Sequence, residues 1–426
     1  MAIASRRLKI HPWGFPLILG VVGLCLSLVA RGCLGYPRCP GDEGNWALIL
    51  QRLDQGIAWP VSGPGFVWVV QQLSLAMGWG HDFSLALLGM LAAAAIPMLL
   101  YGLYRYSGLQ FRAAAGGVAW LMVSSYFLGP LLEARPQQWG MILVLMSLLT
   151  FQRLEVRLNP LTSGLFLMAY GLLFFVHILS FMVLNGLLAI QLFLVWVHGG
   201  RIWPAAVIWL AVVGLAAIGL AVEAGPYRIM MQDMRHFHFR DLSWWGLVAV
   251  MPLAIAAVFV VRRSKPLVMF HIANLSMGRL LLLGGGALLL AGGLQALLAP
   301  PQYLAAYQGD LWRFLLVQGG NLIFALCFVC GLWKAATERI SEPVFLSAAL
   351  GMMVLGALVL FLSPWLGDKN GMIRIINYWM LFAAPVAWEG LGTMPARVRQ
   401  GLVLSWPFWV AISLFHVTKP AWLLGC

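Results

Sequence analysis

The chain has 426 residues, of which 62% are hydrophobic and only 10% charged. With a mean hydropathy of +0.88, it cannot coat a water-soluble globule with polar surface. The formal charge of +13 does not mark a nucleic-acid binder, because the basic residues are scattered in short connections between apolar runs and not massed in one block.

Those apolar runs are about 17 to 22 residues long, enough at 1.5 Å rise per residue to cross a hydrocarbon core of roughly 30 Å. They lack period-two alternation, so helices are expected over a barrel. In chain order the spans fall at about 13–30, 83–104, 113–130, 137–153, 160–178, 179–197, 204–222, 243–261, 277–298, 313–334, 343–363, 376–392 and 401–417. The fold class expected is therefore all-α, a polytopic membrane protein of about thirteen transmembrane helices. Met1 to His11 is basic, but the run behind it enters a loop without a small-residue cleavage site, so it reads as a retained first span.

Arg6, Arg7, Lys9, Arg105, Arg112, Arg153, Arg157, Arg201, Arg262, Arg263, Lys265, Lys334, Arg339, Arg397 and Arg399 all fall on one side if the amino terminus is cytoplasmic. Arg228, Arg235 and Arg240 lie opposite, mixed with acids, histidines and aromatics, as in functional loops. The run from Leu161 to His198 contains no strong turn signal, and a tight hairpin near His177 to Ser180 preserves the charge parity. No internal repeat and no separate soluble domain is evident, so residues 1–426 read as one membrane domain.

The first outer loop, about 31–82, is the longest connection. Within it, Asn45 to Leu53 and Phe66 to Met77 carry apolar residues three and four apart, as amphipathic helices lying on a membrane surface do. Ala58-Trp59-Pro60-Val61-Ser62-Gly63-Pro64-Gly65 between them has too much Pro and Gly to stay helical. Asp42 and Glu43 stand at the amino end of the first surface helix, where a carboxylate meets the helix dipole; capping alone would account for them there. Glu133 and Arg135 lie at the lipid edge between two spans, where an ionisable pair is costly unless satisfied; they serve either a site or a salt bridge pinning two helix ends. Cys33 and Cys39 can pair if their loop faces an oxidising compartment, and Cys327 and Cys330 sit one turn apart in an apolar run as core packing.

Gly41-Asp42-Glu43-Gly44-Asn45-Trp46-Ala47, Leu53-Asp54-Gln55-Gly56, Gly63-Pro64-Gly65-Phe66-Val67-Trp68, Met77-Gly78 and Glu133-Ala134-Arg135-Pro136 follow one another in an order that resembles the GT-C glycosyltransferases. The likeness is especially to the protein O-mannosyltransferase and lipid A aminoarabinose transferase branch, and it covers about residues 13 to 155. It implies a catalytic core in residues 1–155, with the helices of 156–426 lining donor and acceptor cavities. By that resemblance Asp42 is the general base for the acceptor hydroxyl and Glu43 orients it; Glu133, an acid at the lipid edge, joins them as a catalytic candidate. The donor implied is a polyprenyl-phosphate sugar, and inversion needs one base and one cationic phosphate clamp, with no second protein nucleophile.

For the clamp, Arg374 is the first candidate, with Arg135 and Lys369 as alternatives; each also fits a cation snorkelling to the interface. The family places an Arg-Tyr step before this span, whereas here Asn377-Tyr378 follows Arg374 by one helical turn. Tyr378, His177, His236 and His238 are candidates for substrate binding. The histidines are also possible divalent-metal ligands with Glu43 or Glu133, although His236 and His238 lack i, i+4 spacing. Arg235-His236-Phe237-His238-Phe239-Arg240-Asp241 suits stacking on a sugar as well as an interfacial aromatic belt.

The expected function is transfer of a sugar from the lipid-linked donor to a lipid, glycan or protein acceptor, on the extracytoplasmic face of a bacterial inner membrane and in the service of the cell envelope. Two other classes share the many spans: a transporter or flippase of lipid-linked material, and a non-catalytic subunit of a membrane complex with a transferase-derived fold.

Overall fold

The computed structural model describes residues 14–33, 42–56, 63–156, 159–197, 203–222, 311–337 and 371–418, with Arg228, Ala349 and Met352 besides. Every long element among them is an α-helix: α1 (Gly14–Cys33), α2 (Asp42–Asp54), α3 (Pro64–Met77), α4 (His81–Tyr106), α5 (Phe111–Leu121), α6 (Ser125–Leu132), α7 (Pro136–Val156), α8 (Pro160–Val176), α9 (Ile178–Val197), α10 (Trp203–Val222), α11 (Leu311–Thr337), α12 (Gly371–Thr393), α13 (Ala396–Leu404) and α14 (Trp406–Thr418). Spans expected at 13–30, 83–104, 137–153, 160–178, 179–197, 204–222, 313–334 and 376–392 correspond to α1, α4, α7, α8, α9, α10, α11 and α12. Those expected at 243–261, 277–298 and, but for Ala349 and Met352, 343–363 lie outside the described residues. Within the described residues, α1 (as Gly14–Gly32) and α4 are long and apolar enough to cross a membrane, and the number rises to four if each of two bent helix pairs is one span.

Those bent pairs correct two expectations. The run 113–130 is not one straight helix: α5 and α6 meet at 84°. Ser124 is the physical reason, because its hydroxyl accepts the Tyr126 N–H at 3.2 Å and caps a new helix, the role in which Ser competes with a continuing helix. The polar groups freed at the corner find partners. Ser413 Oγ donates to the Val123 carbonyl at 2.7 Å, Trp406 Nε1 to the Ala119 carbonyl at 2.9 Å, and Asn321 Nδ2 to Ser125 Oγ at 2.9 Å. A corner inside lipid survives only when its backbone is satisfied in this way. The second correction is the last span, which begins at Ala396 and bends by 44° between α13 and α14.

Helix crossings are set by glycine. A methyl on Gly23 of α1 would stand 2.0 Å from the Ala93 carbonyl oxygen of α4, and one on Gly390 of α12 would stand 1.9 Å from the Cys327 carbonyl of α11. Gly331 of α11 faces Val386 of α12 in the same way, at 2.1 Å. Such small residues let backbones approach where lipid offers no hydrophobic drive to association. Cys327 is buried in this contact and Cys330 half-buried, both as free thiols.

The hairpin expected at His177 to Ser180 is present as a break between α8 and α9. Tyr170 and Asn185 share a hydrogen bond, although a continuous helix would hold residues that far apart in sequence about 22 Å from one another. The two expected surface helices form as α2 and α3 and touch edge-to-face through Trp46 and Phe66, with ring centroids 5.9 Å apart. At their ends Gly56 and Gly63 take φ of +74° and +81°, open to glycine without strain.

Candidate functional site

The site is built on the entry to α7. Ala134 lies just ahead of that helix, and its N–H donates to Glu43 Oε2 at 2.8 Å. The same oxygen accepts from Arg31 Nη2 at 2.7 Å. Arg31 is in the last turn of α1, and its Nη2 also donates to the Leu132 carbonyl at 3.1 Å, while Nη1 donates to Ser27 Oγ one turn back. Room for the guanidinium comes from Gly89 of α4, where a methyl would stand 2.4 Å from Nη2. One ion pair therefore joins α1, α2, α4 and the 132–134 segment.

Glu43 is only 2% exposed. Burial pushes its carboxyl above the ordinary value, assisted by the charge of Asp82, while Arg31 and the Ala134 N–H pull it back without cancelling the rise. Its Oε1 is buried without a hydrogen-bond partner among the described residues. Glu43 sits in the first turn of α2, but its carboxylate is drawn to neighbouring elements, so simple capping of α2 does not describe it.

Glu133 and Arg135 flank this contact and pair with each other at 2.9 Å, both largely buried. The salt bridge expected as the plain alternative is thus made, and it stands beside the Glu43 contact. Pro136 then opens α7, and a methyl on Gly63, one residue ahead of α3, would fall 2.9 Å from the Pro136 Cβ and 2.2 Å from the Val176 carbonyl of α8. One turn further on, Gly140 admits Ser180 and His177, whose Oγ and Cβ would lie 2.5 and 3.1 Å from an added methyl.

His177 is buried at the C-terminal end of α8. The Ser180 N–H points at its Nδ1 at 3.1 Å, so Nδ1 is the acceptor and the ring proton sits on Nε2. The Ser180 hydroxyl accordingly donates to Nδ1 at 2.5 Å and accepts from the Tyr378 hydroxyl of α12. Tyr378 is fully buried, and its neighbour Asn377 is buried with Oδ1 unpartnered among the described residues.

The structure therefore brings Glu43, Glu133, Arg135 and His177 against the first two turns of α7 or its immediate approach, and Tyr378 joins them through Ser180. Asp42 is the first residue of α2 and Arg374 lies in the first turn of α12, but both side chains fall outside the described residues, as do Lys369, His236 and His238 entirely and the Cys33 side chain with Cys39. Among the described residues no cluster of three His, Cys, Asp or Glu is placed to hold a metal ion.

Four participants escape a reading of the sequence: Arg31, Ser27, Gly89 and Ser180. Ser27 and Arg31 carried a usable signal, a polar pair at i, i+4 on one face of an otherwise apolar run. Gly89 and Ser180 carry none, because a glycine in an apolar run and a serine after a histidine are individually ordinary. At the far end of α2, Asp54 accepts from His81 Nε2 at 2.5 Å, and His81 Nδ1 meets Ser74 Oγ at 3.0 Å, so α2 and α3 are each tied to the start of α4 there.

The chain matches no protein-family model, and no curated protein matches it.

Proposed function

We propose that the chain is a GT-C-like glycosyltransferase that moves a sugar from a polyprenyl-phosphate donor to a lipid or glycan acceptor at the extracytoplasmic membrane surface. The observation that carries this reading is the Glu43 clamp. It fixes the amino end of α2, and with it the backbone of Asp42, beside the Glu133–Arg135 pair, which is the grouping of first-loop acid and second-loop pair that the resemblance implies.

In this scheme Asp42 accepts the proton of the acceptor hydroxyl as its oxygen bonds to the anomeric carbon. The bond from that carbon to the phosphate oxygen breaks, its electron pair leaves with the polyprenyl phosphate, and configuration inverts. A cation stabilises the departing phosphate, with Arg374 the first candidate and Arg135 and Lys369 the alternatives. Glu43, tied to Arg31 and the Ala134 N–H, positions the base.

The test is direct. Purified protein given a radiolabelled polyprenyl-phosphate sugar and an acceptor lipid releases polyprenyl phosphate, and Asp42→Asn abolishes release. Equal turnover in the Asn variant removes Asp42 as base, and no turnover in the wild type with any lipid-linked sugar removes the reading.

A second reading, transport of lipid-linked material, draws on the 84° bend between α5 and α6, since broken helices line many transport sites. Against it, the Val123 and Ala119 carbonyls at that corner are bonded by Ser413 and Trp406. Movement of a fluorescent lipid-linked sugar across liposomes without an acceptor would favour it.

A further inference from the structure

The first outer segment is held by a contact that neither a helix end nor a surface charge explains. Arg31 spends its guanidinium on three elements at once: Ser27 one turn earlier on α1, Glu43 on α2 at 2.7 Å, and the Leu132 carbonyl at 3.1 Å. Gly89 leaves the notch that the group fills. A planar, multi-donor cation suits this fork and a point-like ammonium does not. Glu43 is almost fully buried, and its bonded oxygen takes both the guanidinium and the Ala134 N–H.

We infer that Arg31 is a positioning residue for the active carboxylate: through Glu43 it sets where α2 begins, and so where Asp42 stands relative to the Glu133–Arg135 pair. This rests on the function proposed above and adds to it a residue outside the family motif, on a different helix from the acids. Arg31 does not touch substrate in this scheme. It acts through α2, and Gly89 acts through Arg31.

The experiment uses the full chain in nanodiscs and reads position and activity separately. Spin labels at Leu48 on the exposed side of α2 and at Leu172 on the exposed side of α8 report the placement of α2 by their distance distribution. The wild type gives one narrow distribution. Arg31→Ala and Gly89→Ala shift or broaden it, and Gly89→Ala matters because it keeps every charge and both partners while crowding the guanidinium. In the transfer assay these variants lose kcat by about 100-fold, the scale of a misplacement near 1 Å, with KM little changed, and Arg31→Lys recovers part of both readouts.

An α2 that stays in place in both variants overturns the inference, as does a loss confined to KM. A wild type that turns over no lipid-linked sugar overturns the proposed function instead, and the distance measurement then decides the role of Arg31 on its own. If Arg31→Ala does not fold, Gly89→Ala and Arg31→Lys carry the test.

Discussion

Glu43 occupies a place where a carboxylate is expensive, and it is tolerated because a guanidinium and a backbone N–H meet the same oxygen. Burial still dominates and raises its affinity for a proton. The sign of the pH effect follows. Above the unfolded value, about 4.3 for Glu, and up to the raised folded value, the native state binds more protons than the unfolded one, so stability falls as pH rises through that window. Thermal unfolding in detergent, followed by a thiol dye reaching the buried Cys327, should show this slope in the wild type and a flatter one in Glu43→Gln. A slope unchanged by the substitution would mean that other groups set it. Removing the carboxylate altogether, as Glu43→Ala, leaves Arg31 without its anion and should cost about 3 to 5 kcal/mol.

At the scale of helices, the arrangement depends on where backbones can touch. Gly331 and Gly390 bring α11 and α12 to carbonyl contact, and a side chain at either must push a main chain aside. Gly390→Ala should therefore destabilise by about 1 to 3 kcal/mol or more, whereas Gly401→Ala, with open space around the added methyl, should be close to neutral; paired melting curves check both. The helices themselves were legible from apolar run length, and α2 and α3 from apolar spacing of three and four, because those patterns are local. The corner at Ser124 was not legible, since hydropathy measures how apolar a run is and carries no direction. Ser413 and Asn321, which stabilise the corner, come from α14 and α11, far along the chain.

At the scale of the whole molecule, the polar side chains among the described residues collect at opposite ends of the long helices. Arg31, His81, Glu133, Arg135 and His177 lie near the ends of α1, α4, α7 and α8 on the side of α2, which carries Glu43 and Asp54, and Arg105, Arg153 and Lys334 lie near the other ends of α4, α7 and α11. Single cysteines at the exposed Met77 and at the exposed Leu161 should accordingly react with an impermeant maleimide from opposite faces of a sealed vesicle; labelling from the same face would contradict the two-sided reading. Of the candidate site, the acids and Tyr378 could be named from sequence because motif order and charge at a lipid edge are visible in one dimension. Their mutual support could not, because Arg31 to Glu43, Glu43 to Ala134 and Ser180 to Tyr378 are contacts between separate elements.

The bond from Ala134 to Glu43 has one more consequence. A helix opening with Pro136 has free N–H groups and a partial positive charge at its start, and here an anion from another helix stands at that approach. In this sense α2 is latched to the segment that leads into α7. Lifting α2 therefore breaks the Ala134 bond as well as the ion pair, and the segment leading into α7 loses its anion at the same step.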